Sequence, residues 1–117
     1  MGFKFEKLNV WKEAIELAND IHFLTQNWPK SELYVLTSQI KRASDSISLN
    51  ISEGGTGQSN AEFTRFLRYA NRSGLEVITC LYLAKGRNLI DDLNFQKYYD
   101  QTERIVVKIQ ALIKSIN

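Results

Sequence analysis

The chain is poor in the residues that punctuate or cross-link a fold. Among 117 residues there is one cysteine, one proline and one histidine. The lone Cys80 excludes an intramolecular disulfide framework and fits a reducing cytoplasm. The lone Pro29 leaves room for long uninterrupted helices. With only His22 and no Glu-x-x-His pair, the metal sites that helical bundles build are not expected. No apolar run approaches the ~18 residues that read as a membrane span. The N-terminus MGFKFEKLNV has no signal-peptide apolar region, and Glu6 stands where a myristoylation motif wants Ser or Thr. A cytoplasmic protein away from the membrane is therefore expected. A formal net charge of +2 is too weak by itself to indicate nucleic-acid binding.

What is present is helical periodicity. A chain of this length supports one domain with one core, taken here as residues 1–117. The first helix, about residues 8–27, carries a wide apolar stripe from Val10 and Trp11 to Leu24 and Trp28, and Pro29 stops it. The second, about 31–53, starts at Ser31 as N-cap and ends at Gly54, read as the left-handed terminator. Leu33, Leu36, Ile40, Ala43 and Ile47 are its apolar line. The third, about 60–87, opens on the capping box Ser59-Asn60-Ala61-Glu62. Its Gly74 implies close approach by a neighbouring helix, since a mid-helix glycine costs up to ~1 kcal/mol against alanine. The fourth, about 93–116, presents Phe95, Tyr98, Tyr99, Thr102 and Ile105 inward, with Asp100 and Arg104 spaced to pair. No strand candidate, repeat or linker appears. Four such helices with short connections predict an all-α, antiparallel up-down four-helix bundle.

The second helix also carries a polar line: Gln39, Arg42, Ser46, Asn50 and Glu53. Ser, Asn and Asp favour caps and turns over helix interiors, yet they crowd this stretch. Either the line is a solvated face, or it is a hydrogen-bonded seam between helices. If the second and third helices form a hairpin, Gln39 neighbours Glu76, Arg42 neighbours Ser73, and Ser46 neighbours Tyr69. On that register Arg42 pairs with Glu76 across the seam, and Ser73 completes it.

Catalytic signatures are nearly absent, and no enzyme activity or cofactor is expected. Cys80 has no adjacent His or basic residue and reads as a buried inert thiol. The glycine loop from Gly54 to Ser59 precedes a helix N-terminus, the general recipe for an anion site. It follows a helix rather than a strand and lacks a P-loop lysine, so it reads as a connection. The basic residues point further. Arg65, Arg68 and Arg72 share one face of the third helix, with Tyr69 among them and Lys41 and Arg42 on the adjacent helix. Basic residues interleaved with an aromatic can hold phosphates and stack on bases. The competing reading is a solvated, partly salt-bridged face.

Gln39-Ile40-Lys41-Arg42-Ala43, Asn50-Ile51-Ser52-Glu53-Gly54, Glu62-Phe63, Phe66-Leu67 and Ser73-x-x-Glu76 resemble the bacterial four helix bundle protein family. It is also called the 23S rRNA intervening-sequence protein family, and its members are described as ribosomal-type proteins. The resemblance covers essentially the whole chain. It is similar in turn to the pentameric accessory protein of diversity-generating retroelements, which binds nucleic acid and a reverse transcriptase. The resemblance implies a non-enzymatic, oligomeric, RNA- or DNA-associated accessory protein with a possible partner protein. Where the family pattern has an Arg after the Glu-Gly pair, this chain has Gln58, which weakens a phosphate role for the loop. The alternative is a homo-oligomeric interaction scaffold that binds no nucleic acid. Self-association into a ring is also expected from Trp11, Phe23, Trp28, Tyr98 and Tyr99, which cannot all point to one bundle axis.

Overall fold

A computed structural model describes residues 2–116. The described residues are all-helical and contain no strand. Four long helices carry the fold: α1 Asn9–Thr25, α2 Ser38–Gly54, α3 Asn60–Gly86 and α4 Asp92–Ile116. At 1.5 Å per residue α3 is about 40 Å long, close to the long dimension of the 43 × 21 × 21 Å molecule. Its helix partners run alongside it. Gln39 bonds to Glu76 and Glu32 to Arg87, while Gly54 lies against Phe63 and Phe66. Gly74 meets Val106, and Tyr82 meets Phe95. Asp20 bonds to Gln101, and Glu13 to Lys108. In these three helix pairs, rising numbers on one element meet falling numbers on the other.

One connected core fills the space between the helices. Leu17 and Ile21 come from α1, and Ile40, Ile47 and Ile51 from α2. Leu67, Val77 and Leu81 come from α3, and Ile105 and Ile109 from α4; all ten are fully buried. Gly74 has the predicted purpose. A Cβ there would lie 2.7 Å from Val106 Cγ2, so α4 packs where a side chain would otherwise stand.

Several sequence expectations need correction. The second helix does not start at Ser31. A 3-10 turn, Lys30–Glu32, leads into a π-helical turn, Leu33–Thr37, and regular α-helix begins only at Ser38. The Glu32 side chain, not Ser31, caps this entry by accepting from the Leu36 N–H at 3.4 Å. A π turn takes more residues per turn than an α turn and shifts the phase of what precedes it. Leu33 is accordingly 44% exposed although it was placed on the apolar line, while Leu36 is buried. Gly54 is not left-handed either. It is the last residue of α2, and a Cβ on it would lie 2.6 Å from Phe66 Cβ. The positive φ in this loop belongs to Gly57, at 88°.

Ser59 caps α3 as expected, its Oγ accepting from the Glu62 N–H at 3.0 Å. Glu62 does not return the bond and turns its carboxylate to Arg65. Asp91 caps α4 by accepting from the Asn94 N–H at 2.7 Å. Arg104 pairs with Glu13 on α1 at 3.5 Å rather than with Asp100, which instead accepts from Gln96. No helix of the described residues is long and apolar enough to cross a membrane.

Candidate nucleic-acid interface

The polar line of α2 is not a cross-helix network. Ser46 Oγ donates to the Arg42 carbonyl at 2.8 Å, and Asn50 Nδ2 to the Ser46 carbonyl at 2.8 Å. On α3, Ser73 Oγ donates to the Tyr69 carbonyl. Each side chain is satisfied within its own helix, the back-bonding by which Ser and Asn are accommodated in a helix interior. Gln39 makes the single crossing bond, donating to Glu76 at 3.4 Å. The expected partner of Glu76 was Arg42, and that pair does not form. Arg42, Glu53 and Glu76 are exposed, while Ser46, Asn50 and Ser73 are half-buried. Long charged side chains at an exposed edge gain little from pairing there. The register behind the expectation does hold at Gln39 and Glu76.

The arginine face of α3 is more organised than its sequence spacing required. Phe66 and Tyr69 meet edge to face, ring centroids 5.5 Å apart. The Arg65 guanidinium lies 5.0 Å from the Phe66 centroid and 6.0 Å from that of Tyr69. The Arg72 guanidinium lies 5.8 Å from the Tyr69 centroid on the same face. Two cations thus flank a pair of half-buried rings, an attraction carried by the ring quadrupoles. The Arg65 guanidinium donates to the Glu62 carboxylate, and that bond, with the carboxylate's charge, raises the Arg65 pKa above the ordinary arginine value. Arg68 is exposed and has no ion pair among the described residues. Three arginines stand against Glu62 and Glu76, so the excess charge of the face is small.

Lys41 and Arg42 do not simply extend this band. Arg42 is exposed on α2 one turn from Gln39. Lys41 is half-buried and lines a pocket together with His22 and Trp28. Both cations line a groove on α2 to which no residue of α3 contributes.

The expected interface aromatics are mostly inside. Trp28 and Tyr98 are 9% and 8% exposed and belong to the core. Trp11 and Tyr99 pack against it, with Phe5 of the N-terminal turn lying edge-on to Trp11 at 5.2 Å. Of the five, only Phe23 is exposed. The bundle accommodates the others because Phe5 covers Trp11 and because Tyr82 meets Phe95 and Tyr99 edge to face between α3 and α4, with Phe95 and Tyr99 tilted against each other. Among the exposed apolar residues that sequence reasoning missed, one group lies on α2 and the turn before it. Tyr34 is 88% exposed and Leu49 63%. With Leu33 they border a shallow groove of about 540 Å³ along the outer side of the helix. Leu33 and Tyr34 turn outward at the π turn, which apolar spacing does not reveal, whereas Leu49 stands off the apolar line of Ile40, Ala43 and Ile47 within regular helix.

The model of the family described as 23S rRNA-intervening sequence protein matches residues 6–111. The chain belongs to this family. Among solved structures, it is similar to a protein of unknown function from the S23 ribosomal protein family of Bacteroides thetaiotaomicron. The two share 25% identity and a TM-score of 0.81, over 90% of this chain and 98% of that one. No curated protein matches the chain.

Proposed function

We propose that this protein is a non-enzymatic, RNA- or DNA-associated accessory protein, acting in the cytoplasm as a ring-like homo-oligomer. The observation that carries the reading is the placement of the exposed Arg65 and Arg72 against the half-buried rings of Phe66 and Tyr69, with Arg68 beside them. Guanidiniums held against rings can contact phosphates while an unpaired base stacks on a ring face or a guanidinium plane. Because the excess charge is small, stacking must supply part of the affinity, which favours single strands or loops over duplex. The opposed residue numbering in three helix pairs supports an antiparallel up-down arrangement. The pentameric number comes only from the resemblance to the retroelement accessory protein.

A second reading, a homo-oligomeric scaffold with no nucleic acid, is favoured by the exposed groove at Leu33, Tyr34 and Leu49. Fluorescence anisotropy with single-stranded RNA across a salt series separates the two. The nucleic-acid reading expects a steep slope of log affinity against log salt. Replacing Arg65, Arg68 and Arg72 together by Gln should lower that slope by about 2, from ~0.7 per lost single-strand phosphate contact. Undiminished binding by the triple variant removes this face. No binding by the parent protein leaves the scaffold.

A further inference from the structure

The arginine face of α3 begins on a helix start that is only half closed. A capping box such as Ser59-Asn60-Ala61-Glu62 has two reciprocal bonds. Ser59 Oγ accepts from the Glu62 N–H, but the Glu62 carboxylate does not accept from the Ser59 N–H in return. That N–H has no hydrogen-bond partner among the described residues. The same chain makes such a return bond elsewhere, from the Phe3 N–H to the Glu6 carboxylate at 3.1 Å. At Glu62 the carboxylate is turned to Arg65 instead.

This singles out one arginine of three. Arg68 and Arg72 have no ion pair among the described residues, whereas Arg65 meets Glu62. A phosphate reaching Arg65 would compete for the N–H groups that Glu62 takes, since a guanidinium receives carboxylate and phosphate through the same fork. The displaced carboxylate would not be stranded. The Ser59 N–H stands vacant within its own box, and the first turn of a helix favours a negative charge in either position. An exposed ion pair is weak, so a polyanion that also releases counterions can break it.

We propose that Glu62 is an internal competitor at this face. It holds Arg65 in the free protein and passes to the Ser59 N–H when a nucleic-acid phosphate takes the guanidinium. Binding then closes the capping box of α3. The inference rests on the nucleic-acid reading of the face and adds how that site is held in check.

Fluorescence anisotropy with a labelled single-stranded oligouridylate, at one fixed salt concentration, tests the competition. Glu62→Gln keeps the side-chain length and the ability to fill the box, and circular dichroism checks that its helix is retained. It should tighten binding about two- to fivefold, the range an exposed ion pair supports. Glu76→Gln removes the same charge from the same face, but Glu76 is bonded to Gln39 and to no arginine. Its gain should be smaller. In an Arg65→Gln background, Glu62→Gln should gain no more than Glu76→Gln does. In a proton–nitrogen correlation spectrum of the full chain, the Ser59 amide signal should move downfield on adding the oligonucleotide. It should also move downfield without it in Arg65→Gln, where Glu62 has lost its partner. The proposal is overturned if Glu62→Gln binds as the parent does or more weakly, if Glu76→Gln tightens binding as much, or if the full gain survives without Arg65. A Ser59 signal that neither the oligonucleotide nor Arg65→Gln moves also overturns it. In each of these cases a parent that binds leaves the nucleic-acid reading standing. If no form binds, that reading falls and the competitor with it.

Discussion

Cys80 illustrates how a single residue's chemistry is set by its surroundings. It is 1% exposed on the inner side of α3. Burial, with a smaller contribution from the charge of Glu76, pushes its thiol up from 9.0 to about 11, against the opposing effect of Arg87. The thiolate is the reactive form, so alkylation of the native protein should be slow and should accelerate on adding denaturant. The same shift has a stability consequence. The folded thiol holds its proton more tightly than the unfolded one. Below pH 9.0 the group is therefore neutral in both states and stability does not depend on it. As pH rises from 9.0 toward about 11, the unfolded chain ionises first and stability falls. Denaturation of the parent and of Cys80→Ala over this range should show curves that converge as pH rises. Parallel curves would mean that the thiol ionises as easily in the folded protein as in the unfolded one.

At the scale of an element, α2 resolves a conflict that its sequence poses. Ser44 and Ser48 are buried, at 0% and 6% exposure. Their hydroxyls donate to the carbonyls of Lys41 and Asp45, three residues back, at 3.0 and 3.2 Å. Ser38, Ser46, Asn50 and Ser52 are likewise bonded within their own turns. The helix thus buries small polar side chains without leaving them unpaired and without needing a neighbour to satisfy them. Alanine removes donor and bond together and is the better helix former by several tenths of a kcal/mol. Ser44→Ala and Ser48→Ala should therefore each change unfolding free energy by less than about 1 kcal/mol. A loss above roughly 2 kcal/mol in urea denaturation would show that these hydroxyls bond across the helix interface after all.

For the whole molecule the open question is what covers the outer side of α2. Tyr34 and Leu49, at 88% and 63% exposure, lie along one groove with Leu33. Exposed apolar surface of this kind accompanies association more often than isolated exposed residues do. If the proposed homo-oligomer uses this side, Tyr34→Glu with Leu49→Glu should reduce the mass seen by light scattering to that of one chain. The helical circular dichroism should be retained, because neither residue is in the core. An oligomer undisturbed by both substitutions would move the contact to another face, and a parent protein that is already monomeric would remove the ring.

The helical class and most of the core were legible in the chain itself, because burial on one side of a helix imposes a 3.6-residue period on sequence. The period placed Ile40, Ala43 and Ile47 inside, and it read Gly74 as a point of close approach; Val106 stands there. It also put Arg65, Arg68 and Arg72 on one face. It could not foresee the π turn, since a hydrogen-bond register is a backbone property that leaves no mark in apolar spacing. Leu33, expected on the apolar line, turns outward for that reason. Nor could it say which polar neighbours pair: Arg42 and Glu76 are of opposite charge and close in register, yet Gln39 holds Glu76. Trp28 and Tyr98 read as surplus aromatics until packing put them in the core. The pocket between α1 and α2 joins residues from His22 to Lys41 that share no period, and only the bend at Pro29 and the π turn bring them together. Periodicity is a local property that each helix writes into its own sequence, whereas partners and pockets depend on how separate elements meet.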